Sequence, residues 1–103
     1  MKFINLIFFT STLFALTIYI PTDFNTIQEG INNANNGDSI IVSEGIYFEN
    51  IIIDTKSLFI KSENGPNATI IDGSANYTPV ISFNNITTYP ILLSGFTIQN
   101  GTG

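Results

Sequence analysis

The sequence predicts an all-β chain, a solenoid-like coil of short parallel strands whose open start is covered by one short α-helix. Three observations carry that prediction. Short, Ile-rich runs bounded by Gly, Asn, Asp, Ser or Pro recur from Ser39 onward. Two of these runs repeat at a common offset of 18 residues. Ahead of them, Asp23 to Asp38 holds a single helix-like apolar stripe.

The first twenty residues stand apart from this pattern. From Phe3 to Ile20, 13 of 18 residues are Phe, Ile, Leu, Ala or Tyr, with Lys2 before them and a polar shift at Pro21-Thr22-Asp23 after them. That layout reads as a secretory leader over residues 1–20, with Ala15-Leu16-Thr17 as an approximate small-x-small cleavage pattern. An uncleaved signal anchor is the alternative, since 18 apolar-leaning residues can just span a bilayer. Residues 21–103 then form the domain.

From Pro21 onward two lysines face all eight acids, a formal charge of −6. Such a surface repels phosphate backbones, which disfavours nucleic acid as a partner. Cys is absent, so no disulfide supports the small domain. His, Arg and Trp are absent too. Histidine-based acid–base catalysis and the common His or Cys metal sites are therefore excluded.

Asn25 with Gln28 three residues later has the spacing of a capping box. Ile27, Ile31 and Ala34 fall at i, i+4 and i+7, one apolar stripe. Gly37 is suited to the left-handed residue that ends a helix. So short a helix cannot stand alone, and covering an exposed strand end would give its stripe a partner.

The strand-like runs are Ile40 to Val42, Ile46 to Phe48, Ile51 to Ile53, Leu58 to Ile60, Ile70-Ile71, Val80-Ile81 with Phe83, and Ile91 to Leu93 with Phe96 and Ile98. Ser39-Ile-Ile-Val42 matches Ser57-Leu-Phe-Ile60, and Ile51-Ile-Ile-Asp54 matches Thr69-Ile-Ile-Asp72, both at the offset of 18. A looser echo pairs Leu58-Phe-Ile-Lys-Ser62 with Leu92-Leu-Ser-Gly-Phe96. Stacked turns of about this length are what a parallel β-helix needs. A small antiparallel sandwich is the competing reading. Phe48, Phe59, Phe83 and Phe96 are expected inside.

The chain resembles the N-terminal part of secreted right-handed parallel β-helix proteins, the pectin-lyase-like superfold. The resemblance rests on Pro21 to Glu29, Asn36 to Ile40, Glu44 to Tyr47, Lys61 to Pro66, Thr69 to Gly73 and Gly95 to Gly101. It implies a capping helix followed by the opening rungs of a right-handed β-helix, and a secreted or cell-surface location. Members of that group include polysaccharide lyases, pectin esterases, adhesins and surface proteins. Their catalytic Asp pairs with Arg or His partners find no counterpart among these residues.

Candidate chemistry is sparse. Asp54 and Asp72 hold equivalent places in the repeat, so they are the candidate calcium ligands, stacked one strand spacing apart. The alternative is that each ends a strand and shapes its turn. Lys56 and Lys61 read as solvated surface charges. Asn67, Asn76, Asn85 and Asn100 begin Asn-x-Ser/Thr sequons and are candidate glycosylation sites. Tyr47, Tyr77 and Tyr89 are candidates for a sugar-stacking face, with packing as the alternative.

The expected function is a non-catalytic, exported β-helix segment, a cap and scaffold of a cell-surface or carbohydrate-binding protein. The alternatives are the N-terminal piece of a polysaccharide lyase, pectin esterase or glycoside hydrolase with its active site beyond residue 103, and a small membrane-anchored protein. Polysaccharide or cell-surface glycan is the expected ligand. Further rungs, or self-association, are expected at the open C-terminal end.

Overall fold

Branched and aromatic residues in runs of three or four set the strand lengths, and the Gly, Asn, Asp and Pro between them turn the chain. The computed structural model describes residues 14–86 and 90–102. In chain order its elements are β1 (Thr17–Ile20), α1 (Ile27–Asn33), β2 (Ser39–Val42), β3 (Gly45–Phe48), β4 (Ile51–Asp54), β5 (Phe59–Ser62), β6 (Thr69–Asp72), β7 (Ile81–Asn84), β8 (Leu92–Ser94) and β9 (Thr97–Gln99).

The strands form three sheets, ordered β1-β2-β5-β8, β3-β6-β9 and β4-β7. Every pair in them is parallel. From β2 on, the chain visits the first, second and third sheets in turn and then begins again. The antiparallel sandwich is excluded. The all-β, parallel character with one short helix is as the sequence predicts.

The 18-residue repeat does not survive. Ser39 pairs with Phe59, Gly45 with Thr69 and Ile51 with Ile81, separations of 20, 24 and 30 residues. The connections differ in length, so no single period describes the stacking. The looser echo found the right strands one residue out of register: Phe59, not Leu58, lies beside Leu92.

Alternation along each strand sends one column of side chains inward. Ile18, Ile40, Ile60 and Leu93 form one such column across the first sheet. Tyr47, Ile71 and Ile98 form another, and Ile53 with Phe83 a third. Ile20, Ile27, Ile40, Val42, Ile53, Leu58 and Ile71 are wholly shielded from solvent. Each such side chain contributes on the order of 1.5–3 kcal/mol.

The expected interior aromatics divide. Phe59 and Phe96 are half-buried, but Phe48 is 63% exposed and Phe83 50% exposed. Alternation in β3 turns Tyr47 inward and therefore Phe48 outward. Phe83 does face inward, beside Ile53, but among the described residues no strand lies beyond β7 in its sheet to cover it.

The helix is shifted from its expected frame. Its N-cap is Thr26, not Asn25: Thr26 is extended and its hydroxyl accepts from the Glu29 N–H at 3.1 Å. Its C-cap is Ala34, and Gly37, at φ +88°, serves the turn before β2 instead of ending the helix. Ile27, Ile31 and Ala34 are buried as expected. Gly30 also faces the core, where a Cβ would stand 2.8 Å from Ile20 Cδ1. A side chain here would push the tip of Ile20 aside, so glycine lets the helix sit close to β1 without repacking.

Thr17–Ile20, assigned above to a leader, is strand β1, with Ile18 and Ile20 in the core. Asp38 ties its start down, accepting from the backbone N–H groups of Leu16 at 2.9 Å and Asn35 at 2.8 Å. The domain thus reaches back before Pro21, while residues 1–13, which hold most of the apolar run, lie outside the described residues. Ile20→Ala is expected to destabilise by about 2–5 kcal/mol, the range for buried Ile truncations. Urea unfolding checks this, and an unchanged midpoint would return residues 17–20 to the leader.

Candidate functional site

Polar side chains gather where α1 lies along the third sheet. A helix of seven residues leaves most of its N–H and C=O groups without partners inside the helix. Here they are met from elsewhere in the chain. The Glu49 carboxylate, between β3 and β4, accepts from the N–H groups of Ile27 at 2.9 Å and Gln28 at 3.0 Å. At the other end Lys56 Nζ donates to the carbonyls of Ile31 at 2.7 Å and Asn32 at 3.1 Å. The charges match the helix dipole at each end.

Gln28 does the same for the sheet. Its Oε1 accepts from Ile52 N–H at 2.8 Å, and its Nε2 donates to Ile52 C=O at 3.0 Å. The amide thus stands in for a neighbouring strand along β4. Nε2 also donates to Asn32 Oδ1 at 3.0 Å.

An open groove of about 410 Å³ runs along this junction, lined by Gln28, Asn32, Asn50, Ile52, Asp54 and Lys56 among others. Its polar walls are largely engaged within the fold. Asn50 Nδ2 is shared among the carbonyls of Gly73, Thr78 and Pro79, and its Oδ1 accepts from Asn76 Nδ2 at 3.2 Å. Asp54 Oδ1 accepts from Asn85 Nδ2 at 3.1 Å. One acid, one amine and several amides line the groove, without a Ser, Thr or Tyr hydroxyl that could act as nucleophile. Lys56 is therefore a helix clamp and not the solvated charge expected of it, whereas Lys61 is exposed.

Asp54 and Asp72 are not brought together. Asp54 ends β4 in the third sheet and pairs with Asn84, while Asp72 ends β6 in the second and pairs with Phe48 and Gln99. The stacked calcium pair is withdrawn, because it followed from the 18-residue repeat. Among the described residues no cluster of three acids is placed to hold a metal ion.

Asp72 instead organises a turn. Its Oδ1 accepts from the Ser74 N–H at 2.9 Å, the geometry of an Asx turn, and its Oδ2 accepts from Gln99 Nε2 and Asn100 Nδ2, each at 2.9 Å. Hydrogen bonds from the Ser74 side chain, Gln99, the Ser74 N–H and Asn100 hold the carboxyl well below the usual carboxylate range.

The remaining candidates scatter. Tyr47 points inward and donates to the Ser43 carbonyl at 2.7 Å. Burial, with the nearby Glu49 charge, pushes its phenol up. Tyr77 is 97% exposed on the loop after β6, and Tyr89 lies outside the described residues. Tyr47 and Tyr77 therefore share no face. Asn67, Asn76, Asn85 and Asn100 are all exposed, but the Nδ2 groups of Asn76, Asn85 and Asn100 are engaged by Asn50, Asp54 and Asp72. Glu49 and Asn50 escaped the sequence reading, since no local spacing links Glu49 to a helix some twenty residues earlier or Asn50 to the backbone around Gly73 and Thr78.

Compared with protein-family models, curated proteins and solved structures, the chain matches none. Two outcomes are expected from the geometry. Lys56→Met should cost about 1 kcal/mol by thermal melting, the helix-terminus charge effect, with the fold retained. Because the Asp72 carboxyl is held low, its stabilisation is complete above about pH 4, the ordinary carboxylate value, and fades as the pH falls below it. Asp72→Asn should lower stability at neutral pH and flatten that acid limb in urea titrations run across pH.

Proposed function

We propose that this chain is the capped opening of a right-handed parallel β-helix of the pectin-lyase-like kind, working as a non-catalytic scaffold of an exported, cell-surface protein. One observation carries the reading: the chain passes through three parallel sheets in fixed rotation, with its helix laid against the first strands. Each sheet then grows by one strand per circuit, as in a solenoid of stacked turns.

The groove supports a scaffold over an enzyme. Its amides and charged groups are held by the fold's own backbone and side chains, and its lining offers no hydroxyl or thiol nucleophile. The apolar run ahead of β1 and the acidic remainder support export. Among the described residues no helix is long and apolar enough to cross a membrane.

The two ends differ. At the start, α1 covers β4, while at the other end the inward-facing Phe83 and Ile98 are about half exposed. This favours a further rung or a second copy on that layer. It also keeps open the reading as the N-terminal piece of a polysaccharide-degrading enzyme.

An experimental structure tests the architecture: a left-handed path between the sheets, or sheets that do not enclose one core, sinks it. Sedimentation tests the open end. The isolated chain is expected to associate with concentration, and Phe83→Asp should shift it toward monomer. A strictly monomeric wild type at every concentration would overturn the self-association.

A further inference from the structure

Three Asn-Gly pairs occur in the chain, Asn36-Gly37, Asn64-Gly65 and Asn100-Gly101. This pair is prone to self-modification, because glycine has no side chain to shield its backbone nitrogen from the preceding amide carbon. The nitrogen attacks that Cγ, gives its proton to hydroxide, and ammonia departs to leave a five-membered succinimide. Water then opens the ring at either carbonyl, giving aspartate or isoaspartate. The net exchange is water in and ammonia out.

The fold restrains the three pairs unequally. Asn36 Oδ1 accepts from the Ser57 N–H at 3.0 Å, and the Gly37 N–H donates to the Ser57 carbonyl at 2.8 Å. Both reacting groups are thus held by one residue of the neighbouring chain. Asn100 Nδ2 is held by Asp72 at 2.9 Å, and Gly101 is packed so closely that a Cβ would stand 2.7 Å from Val80 Cγ2. Asn64 is exposed in the turn between β5 and β6, and among the described residues its side chain makes no hydrogen bond. Gly65, at φ +85°, has open space around it, and its N–H donates only to the Ser62 hydroxyl at 3.0 Å.

We infer that Asn64-Gly65 is a self-modification site, converting with time to aspartate and isoaspartate while Asn36 and Asn100 are protected by the fold. The product sets a new carboxylate beside Glu63. In its isoaspartate form it also lengthens the turn backbone by one carbon. The inference does not depend on the scaffold reading.

The test is peptide mapping by mass spectrometry after incubating the folded chain in mildly alkaline heavy-oxygen water. Asn64 is expected to take up the label roughly tenfold faster than Asn36 or Asn100, since Asn36-Gly37 must break one more hydrogen bond and Asn100-Gly101 must release the Asp72 contact while Gly101 is packed against Val80. In denaturant the three sites should react at similar rates. Ser62→Ala, which releases the Gly65 nitrogen, should speed Asn64 and leave the other two unchanged. Equal rates in the folded chain, or Asn36 or Asn100 reacting first, would overturn the inference.

Discussion

An unpaired strand edge is the constraint around which the start of this molecule is arranged. Among the described residues β4 is bonded to β7 on one side only, and an open row of N–H and C=O groups invites foreign strands. The Gln28 amide answers this at Ile52, offering one acceptor and one donor in the order a strand would. That contact fixes where α1 must lie. Its position then sets what Glu49 and Lys56 can reach.

The dependence runs both ways. A seven-residue helix is too short to persist in water by its own hydrogen bonds. It is held by Glu49 at its first turn, Lys56 at its last and the core against Ile27 and Ile31. Both clamps lie on either side of β4, the strand that Gln28 covers. Helix and edge therefore stabilise each other, and neither arrangement is complete without the other. The groove between them is the seam of this joint, which accounts for walls so fully engaged within the fold.

Sequence patterns exposed the parts of this design that are local. Short Ile runs between turn residues gave the strands, and Ile27, Ile31 and Ala34 gave the buried helix face. What depends on register was hidden. The matched Ile-Ile-Asp of β4 and β6 lie in different sheets, because similar strands recur in all three and the connections vary in length. Strand β1 was hidden by company: Ile18 and Ile20 follow a long apolar run and read as part of it. Lys56 and Glu49 act on a helix that is distant in sequence, so no spacing rule reaches them.

The outer turns follow a different logic from the interior. Inward columns are filled largely by apolar side chains that pack by shape, while the parallel ladders carry the register of one circuit on the next. Asn and Asp at the corners add directional bonds where the ladders end. Asn36 binds the backbone of Ser57, Asn50 the carbonyls around Gly73 and Thr78, and Asp72 the amides of Gln99 and Asn100. Each bond joins consecutive circuits at a point where the backbone bends. An Asn-rich composition, which alone reads as loop, thus reinforces at the corners the stacking that the ladders of an Ile-rich core set between them.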